Sequence, residues 1–325
     1  MGMGFWPQFQ PRVGLNFGAS SLALVKLKGR GRSSHLHRYQ VHKMSKEFLI
    51  PSPTGRNIQK PEEIKKIIQN LFEEEKIRRQ PISLSLPDLA VKVLLLKLDH
   101  LPKKKEDLDQ LVRWNMEKTF LSPLKEAQLS YQILKRGKSE GKKHYVVASM
   151  IQRNILCEYE DLIRSLGCYP VLIDISSFHV LNLCREILSK EISGEEGFLF
   201  VNVFDSNFTI MIFSHGLPDF IRIKGFQDRQ VSAPGEGVSR SEKITEEIET
   251  SFRFYRREGP TETINTIFLF GGPQMSDLIS PLEERFPLKV HLLDLQPFVA
   301  MDGFSSVDGE DVPFVIPALA AAMGR

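Results

Sequence analysis

Short apolar runs bounded by turn residues open the chain. Val13 to Phe17, Leu22 to Lys28 and His35 to Val41 predict three strands, the last two joined by a Gly29-Arg30-Gly31 turn. Pro61 then opens a helix whose Ile64, Ile67, Ile68, Leu71 and Phe72 recur at helical spacing while Glu73 to Glu75 face outward. A strand at Ile82 to Leu86 follows. From Asp88 to Met150 the pattern becomes strand (Val91 to Leu98), amphipathic helix (Leu108, Leu111, Val112, Met116, Phe120) and two strands (Gln128 to Leu134, His144 to Met150) around a basic tip. This segment predicts a small α/β subdomain inserted into the first domain. A helix around Leu156 to Leu166, a strand Val171 to Asp174 and a helix from about Ser177 to Leu188 resume that domain.

The polar stretch Ser189 to Glu196 reads as a linker, and beyond it the opening pattern repeats. Phe198 to Val203, Phe208 to Phe213 and Phe220 to Ile223 predict three strands, followed by a Ser, Gly and Pro-rich loop at Gln227 to Ser239. A helix carries Ile244, Ile248, Phe252 and Tyr255 on one face. Strand Thr266 to Phe270 ends in Gly271-Gly272-Pro273, and a helix Leu278 to Phe286, a strand Lys289 to Leu293 and an Ala-rich helix Pro317 to Met323 close the chain. The expected domains are 12–87 with 151–190, the insert 88–150, and 197–325.

The repeat also carries the candidate chemistry. In both halves an apolar strand ends at an Asn, turns through Ser-containing sequence and re-enters a strand: Asn16 with Gly18, Ala19, Ser20 and Ser21, then Asn202 with Asp205 and Ser206. Turns of this kind present backbone N–H groups and hydroxyls that suit phosphate. Ser20 and Ser21 read first as ordinary turn residues between strands and only second as phosphate ligands, and Asp205 reads either as a substitute for a lost acid or as a turn cap. Gly271-Gly272 is either a tight strand-to-helix turn or an adenosine-facing one, since both need Gly for steric reasons. Trp114 lies beside the apolar face of its helix, as core or as a partner-binding aromatic. Lys103, Lys104 and Lys105, with Lys135 to Lys143, are basic runs on the same subdomain, and the aromatic strip Phe5 to Phe9 precedes the first strand.

Composition narrows the classes. At 325 residues with 42% hydrophobic and 26% charged positions, the chain suits two globular domains, and its net charge of +3 gives no mandate for nucleic acid. Three cysteines without ligand spacing read as reduced thiols, and the scattered histidines form no metal motif. No signal-peptide, lipidation or spanning pattern appears, so a cytoplasmic location is expected.

The duplicated β-β-β-α-β-α order, the Gly-Gly after a strand and the Ala-rich last helix resemble the actin-like ATPase superfamily. Within it, Pro87, the Leu101-Pro102 pair, Trp114-Asn115-Met116-Glu117-Lys118, Pro123, Tyr131-Gln132 and Val146-Val147-Ala148 resemble the type IV pilus assembly protein PilM family and related type II secretion proteins. The resemblance implies two ribonuclease-H-like domains, a small α/β insert in the first and a reduced one, about Gly225 to Ser241, in the second. It implies a cytoplasmic scaffold peripheral to the inner membrane, reached through a protein partner: the N-terminal tail of a PilN-like membrane protein, bound by the insert together with the first domain. Pilus motor ATPase components are further implied partners.

For cofactors the resemblance implies ATP with Mg²⁺ on a first loop Gly14 to Ser21, a second loop at Asn202-Val203-Phe204 and an adenosine turn at Gly271-Gly272. Asn16 and Asn202 stand where the family has acids, Phe204 where it has Gly, and Pro273 where it has a third Gly. A neutral amide holds a hard cation less well than a carboxylate, and Phe204 crowds a phosphate. The expectation is therefore no catalytic and no metal residues. The alternative is a nucleotide-binding actin-like ATPase or sugar-kinase relative with intact activity.

Overall fold

A computed structural model of the chain describes residues 11–29, 35–120, 126–134, 144–191, 197–226, 239–257, 263–293, 295 and 307–324. The basic tip Lys135 to Lys143, Pro123, residues 192–196 of the expected linker, the loop 227–238 and the strip Phe5 to Phe9 lie outside the described residues.

The chain forms two compact units. One comprises Met1–Asp88, Leu156–Leu188 and Asp294–Arg325; the other comprises Leu89–Ile155 and Ser189–Leu293. In the first, β1 (Val13–Phe17), β2 (Ser21–Lys28), β3 (His35–Lys43), β4 (Pro81–Leu86) and β8 (Tyr169–Ile175) form one sheet in the order β3-β2-β1-β4-β8. The first three strands are antiparallel, and β1, β4 and β8 run parallel. Every residue of β1 is buried, as expected for a strand covered on both faces. Helix α1 (Pro61–Glu74) buries Ile64, Ile68, Leu71 and Phe72, and α3 (Arg153–Ser165) and α4 (Ser176–Glu191) flank β8 in sequence.

The last helix, α7 (Val312–Ala322), packs across β1, β2 and β4 of this first unit. The sequence boundaries had put it with 197–325. Its fully buried Ala318, Ala320, Ala321 and Ala322 let two backbones approach closely, and the facing residue on β1 is Gly14. The helix also begins earlier than Pro317. Pro313 occupies the first turn, where a missing N–H costs nothing, and the interior Pro317 is carried by a segment buried almost throughout.

The second unit repeats the first sheet's plan. Strands β9 (Gly197–Val203), β10 (Asn207–Ser214), β11 (Leu217–Gly225), β12 (Ile264–Phe270) and β13 (Lys289–Leu292) take the order β11-β10-β9-β12-β13. Ile244, Ile248, Phe252 and Tyr255 of α5 (Arg240–Arg257) pack on Leu199, Val201, Ile210 and Ile212 with Leu282 of α6 (Ile279–Arg285).

The insert belongs to this second unit. Strands β5 (Lys92–Leu98), β6 (Ala127–Leu134) and β7 (His144–Gln152) form an antiparallel sheet in the order β5-β7-β6. Leu108, Val112 and Met116 of α2 (Lys105–Phe120) pack on Leu96, Val146, Ala148 and Met150. The buried Asp219 of β11 ties this sheet to the rest of the unit. It meets Lys97 Nζ at 3.4 Å and accepts a hydrogen bond from the buried Tyr255 hydroxyl at 2.9 Å. Contiguity in sequence had suggested that the insert travels with the first domain; here it groups with the second unit, its β5 packed against β11.

Candidate functional site

Each candidate loop is built inside one unit. At the end of β1 the buried Asn16 has both halves of its amide engaged. Nδ2 donates to the Phe314 carbonyl at 3.2 Å, and Oδ1 accepts from Ser176 Oγ at 3.0 Å. Ser176 Oγ also lies 3.0 Å from Ser85 Oγ and from the Leu86 carbonyl oxygen. Asn16 therefore joins β1, α4 and the start of α7. A carboxylate could accept from Ser176 but could not donate to Phe314, so the amide is the group this network requires.

The nearby acids serve the same framework. Asp88 is fully buried; its Oδ1 accepts from Ser177 N–H at 2.9 Å and its Oδ2 from Ser177 Oγ, satisfying a buried first-turn donor of α4 that has no acceptor within the helix. Asp174 accepts from Ile175 N–H at 2.8 Å, and burial raises its pKa, with the Asp88 charge adding and His179 opposing.

The Gly18 to Ser21 turn closes on itself, Gly18 N–H donating to Ser21 O at 2.8 Å. A Cβ on Gly18 would lie 2.7 Å from Ser21 Oγ, a hydroxyl buried without a hydrogen-bond partner. Ala19 is buried, and Ser20 is partly exposed. Gly14 does not belong to this turn. A Cβ there would lie 1.9 Å from Ala318 O, so its glycine serves helix packing rather than a ligand.

In the second unit the corresponding turn is filled from within. Asn202 is buried in β9, opposite Thr209 and beside Phe270. Phe204, only 9% exposed, packs edge-on against Phe270, and its N–H donates to Asn207 O at 2.8 Å. Ser206 Oγ donates to Asn207 Oδ1 at 3.2 Å. The guanidinium of Arg240 donates to the Phe204 carbonyl and lies 4.2 Å from the Phe226 ring centroid, with Asp205 supplying a nearby negative charge. Gly271 and Gly272 have negative or extended φ, so neither supplies a left-handed turn. Their missing side chains make room for Met275, whose Cγ would lie 2.7 Å from a Cβ at Gly271, and for Gln274, 2.6 Å from one at Gly272.

These residues do not fit Mg–ATP. The acid positions hold amides, one of them committed to a core network, and an aromatic ring with an internal cation occupies the second turn. A cavity of about 540 Å³ lies between Ser239, Ser241 and Thr245 at the start of α5 and Pro281 and Arg285 of α6. That is the size of small-ligand pockets. Its Arg285 is already held by Glu249 at 2.7 Å, and Glu242 and Glu284 face the same space, which opposes a polyanion.

The insert presents a different surface. Trp114 is 56% exposed on α2, with Lys118 Nζ 5.1 Å from its ring centroid. Lys103, Lys104 and Lys105 are exposed at the start of the same helix. On the opposite flank Tyr131 donates to Asp109 Oδ1 at 2.5 Å, and burial together with that bond pushes its pKa up to about 12. The structure thus answers for Trp114 the question the sequence left open: it is not core.

Several residues of these sites were not singled out in the sequence. Arg240 had a local signal, because Ser239 and Glu242 form a capping box, Ser239 N–H donating to Glu242 Oε2 at 2.8 Å and Glu242 N–H to Ser239 Oγ at 3.1 Å. That box fixes where α5 starts and so where Arg240 sits. Asp88 and Ser177 are 89 positions apart and carry no short-range signal.

The sequence profile of the family described as type IV pilus assembly protein PilM matches residues 14–233. No curated protein matches the chain. Among solved structures, a PilM-PilN type IV pilus biogenesis complex matches with a TM-score of 0.79 at 20% identity, covering 98% of this chain and 99% of that one. A protein of actin-like ATPase fold and unknown function from Bacteroides thetaiotaomicron matches with a TM-score of 0.53 at 10% identity, covering 91% of this chain and 98% of that one. The duplicated sheets and the α/β insert are thus those of an actin-like α/β fold, and with a profile match over more than half of its length this chain belongs to the type IV pilus assembly protein PilM family.

Proposed function

We propose that this chain is a cytoplasmic scaffold of a type IV pilus assembly platform that captures the cytoplasmic tail of a PilN-like inner-membrane protein on its insert, without turning over ATP. The observation that carries this reading is the exposed Trp114 on an insert whose described helix and strands share a packed core. A large aromatic left in water on a helix is a typical anchor for a partner, and Lys118, its Nζ 5.1 Å from the ring centroid, places a positive charge beside it. The loop ends, by contrast, spend their polar groups internally. A scaffold needs the insert and does not need the loops.

One structural match is a complex of PilM with PilN, which supports a PilN-like partner here. No helix among the described residues is long and apolar enough to cross a membrane. Association with the inner membrane then comes through the partner, because a net charge of +3 supplies little electrostatic hold on anionic lipid.

Two assays test the proposal. Immobilised tail of the PilN-like protein should retain the wild-type chain and retain a folded Trp114→Ala variant poorly; equal retention of both would remove the insert from the binding surface. Purified chain with Mg–ATP should release phosphate at the rate of the buffer control. Turnover that Gly18→Val abolishes would favour the ATPase reading.

A further inference from the structure

A β-sheet edge offers a row of unpaired N–H and C=O groups, and proteins blunt such edges with charges, proline, bulges, short strands or a cover. The edges of the described sheets differ sharply in this respect. β3 carries Arg38, Lys43 and three histidines, and its pairing with β2 is interrupted by a register shift. β8 contains Pro170 and Asp174, and β11 contains Pro218, Asp219, Arg222 and Lys224; both pair through a register shift. β13 is only four residues long. β5 lies against β11 and is tied to it by Lys97 and Asp219.

β6 has none of these devices. Its eight residues, Ala127 to Leu134, include no charged side chain and no proline, and they pair with β7 in unbroken register. Gln128, Ser130 and Gln132 are exposed, as is Ile133 at 39%. Ala127, Leu129 and Tyr131 alternate with them and pack toward the α2 core. A strand added at this edge must place apolar residues on the α2 side, polar residues on the other, and no like charge opposite another.

We propose that the edge of β6 that no described strand pairs joins antiparallel with the same edge of a second copy of this chain, making two three-stranded insert sheets into one. β6 itself meets these requirements at every position but Leu134, an apolar residue on the otherwise polar face. A two-fold axis perpendicular to the sheet at Tyr131 keeps the faces matched, so Leu129 meets Ile133 of the second copy and Ser130 meets Gln132 on the polar face. The uncharged strand raises no electrostatic objection to its own copy, and half of its backbone groups face away from β7 to receive it. This inference stands apart from capture of the membrane partner, which uses the α2 surface.

The experiment is sedimentation of the full chain over a range of concentrations, alone and as two variants, Ser130→Lys/Gln132→Lys and Ser130→Glu/Gln132→Glu. Both positions are exposed, and circular dichroism checks that each variant keeps the fold. Wild type should dimerise, and each variant should show a dimer dissociation constant raised about tenfold or more, because like charges then sit directly opposite. An equimolar mixture of the two variants should dimerise again. Three outcomes would overturn the proposal: a wild type that stays monomeric at all concentrations, a dimer indifferent to both variants, or a monomer whose charged variants lose only the PilN-like tail. The last result would give the edge to an extended segment of the partner.

Discussion

Substituting Gly14 by Ala separates a packing glycine from a ligand-binding one. A Cβ at this position would lie 1.9 Å from Ala318 O, 2.8 Å from Ala322 N and 2.9 Å from Ala318 C, and all three are backbone atoms of α7. No rotamer relieves such a contact; the helix or the strand must move by more than an ångström. Neither does so easily, because β1 is buried on both faces and Ala318 to Ala322 are fully buried. Overpacking against flexible side chains costs about 1–3 kcal/mol, so a clash with rigid backbone on both sides should cost ~3 kcal/mol or more. For a unit of this size that lowers the melting temperature by roughly 6–12 °C. Gly18→Ala and Gly271→Ala provide the scale, since they clash first with the Ser21 hydroxyl and the Met275 side chain, which can shift. Denaturant unfolding followed by fluorescence reads the order, with Gly14→Ala the most destabilised of the three. A Gly14→Ala midpoint equal to wild type would refute the assignment of this glycine to helix packing.

Further outcomes follow from the buried polar groups. Asn16→Asp removes the donor to Phe314 and should destabilise the fold by about 1–3 kcal/mol in denaturant titration, without creating Mg-dependent hydrolysis; a variant that gains hydrolysis would show that the acid alone was missing. Asp219→Ala removes the acceptor that the buried Tyr255 hydroxyl uses and the carboxylate that faces Lys97, and should cost about 2–3 kcal/mol by the same titration, so an unchanged midpoint would make the tie between β5 and α5 idle. Burial raises the Asp174 pKa, so the folded protein holds this proton more tightly than the unfolded chain. The carboxyl's contribution is full below the ordinary carboxylate pKa and is lost as pH rises through the raised value. Asp174→Asn, which keeps an acceptor for Ile175 N–H, should therefore melt higher than wild type at neutral pH and not in acid; a pH-independent difference would contradict the shift.

Local order was largely readable in the sequence. The buried central strands β1, β9 and β10 show as apolar runs because both faces are covered, and α1 shows because Pro61 and four core positions fix its start and its inner face. What escaped is non-local. No element is predicted between Val41 and Pro61, yet this stretch is fastened by Leu49 pairing with Ile58 and by Asn57 and Ile58 N–H groups donating to Glu158 Oε2 at 3.0 and 2.7 Å, a hundred positions away. The home of α7 depends on Gly14 meeting an alanine stripe, and that of the insert on β5 packing along β11, where Asp219 meets Lys97; neither contact leaves a periodic trace. The candidate site was legible as a list of residues but not as their use. Asn16 is visible as a departure from an acid, whereas its bonds to Phe314 and Ser176 exist only once the chain has folded.

The central claim, capture of a membrane partner by the insert independently of nucleotide, is tested most directly by calorimetric titration of the PilN-like cytoplasmic tail into the chain in chelator and in Mg–ATP. The account predicts one affinity in both buffers and a dissociation constant raised about tenfold or more by Trp114→Ala, the loss expected for an exposed aromatic anchor. Absence of binding in chelator with full binding in Mg–ATP, or a Trp114→Ala variant that binds as wild type does, would contradict it.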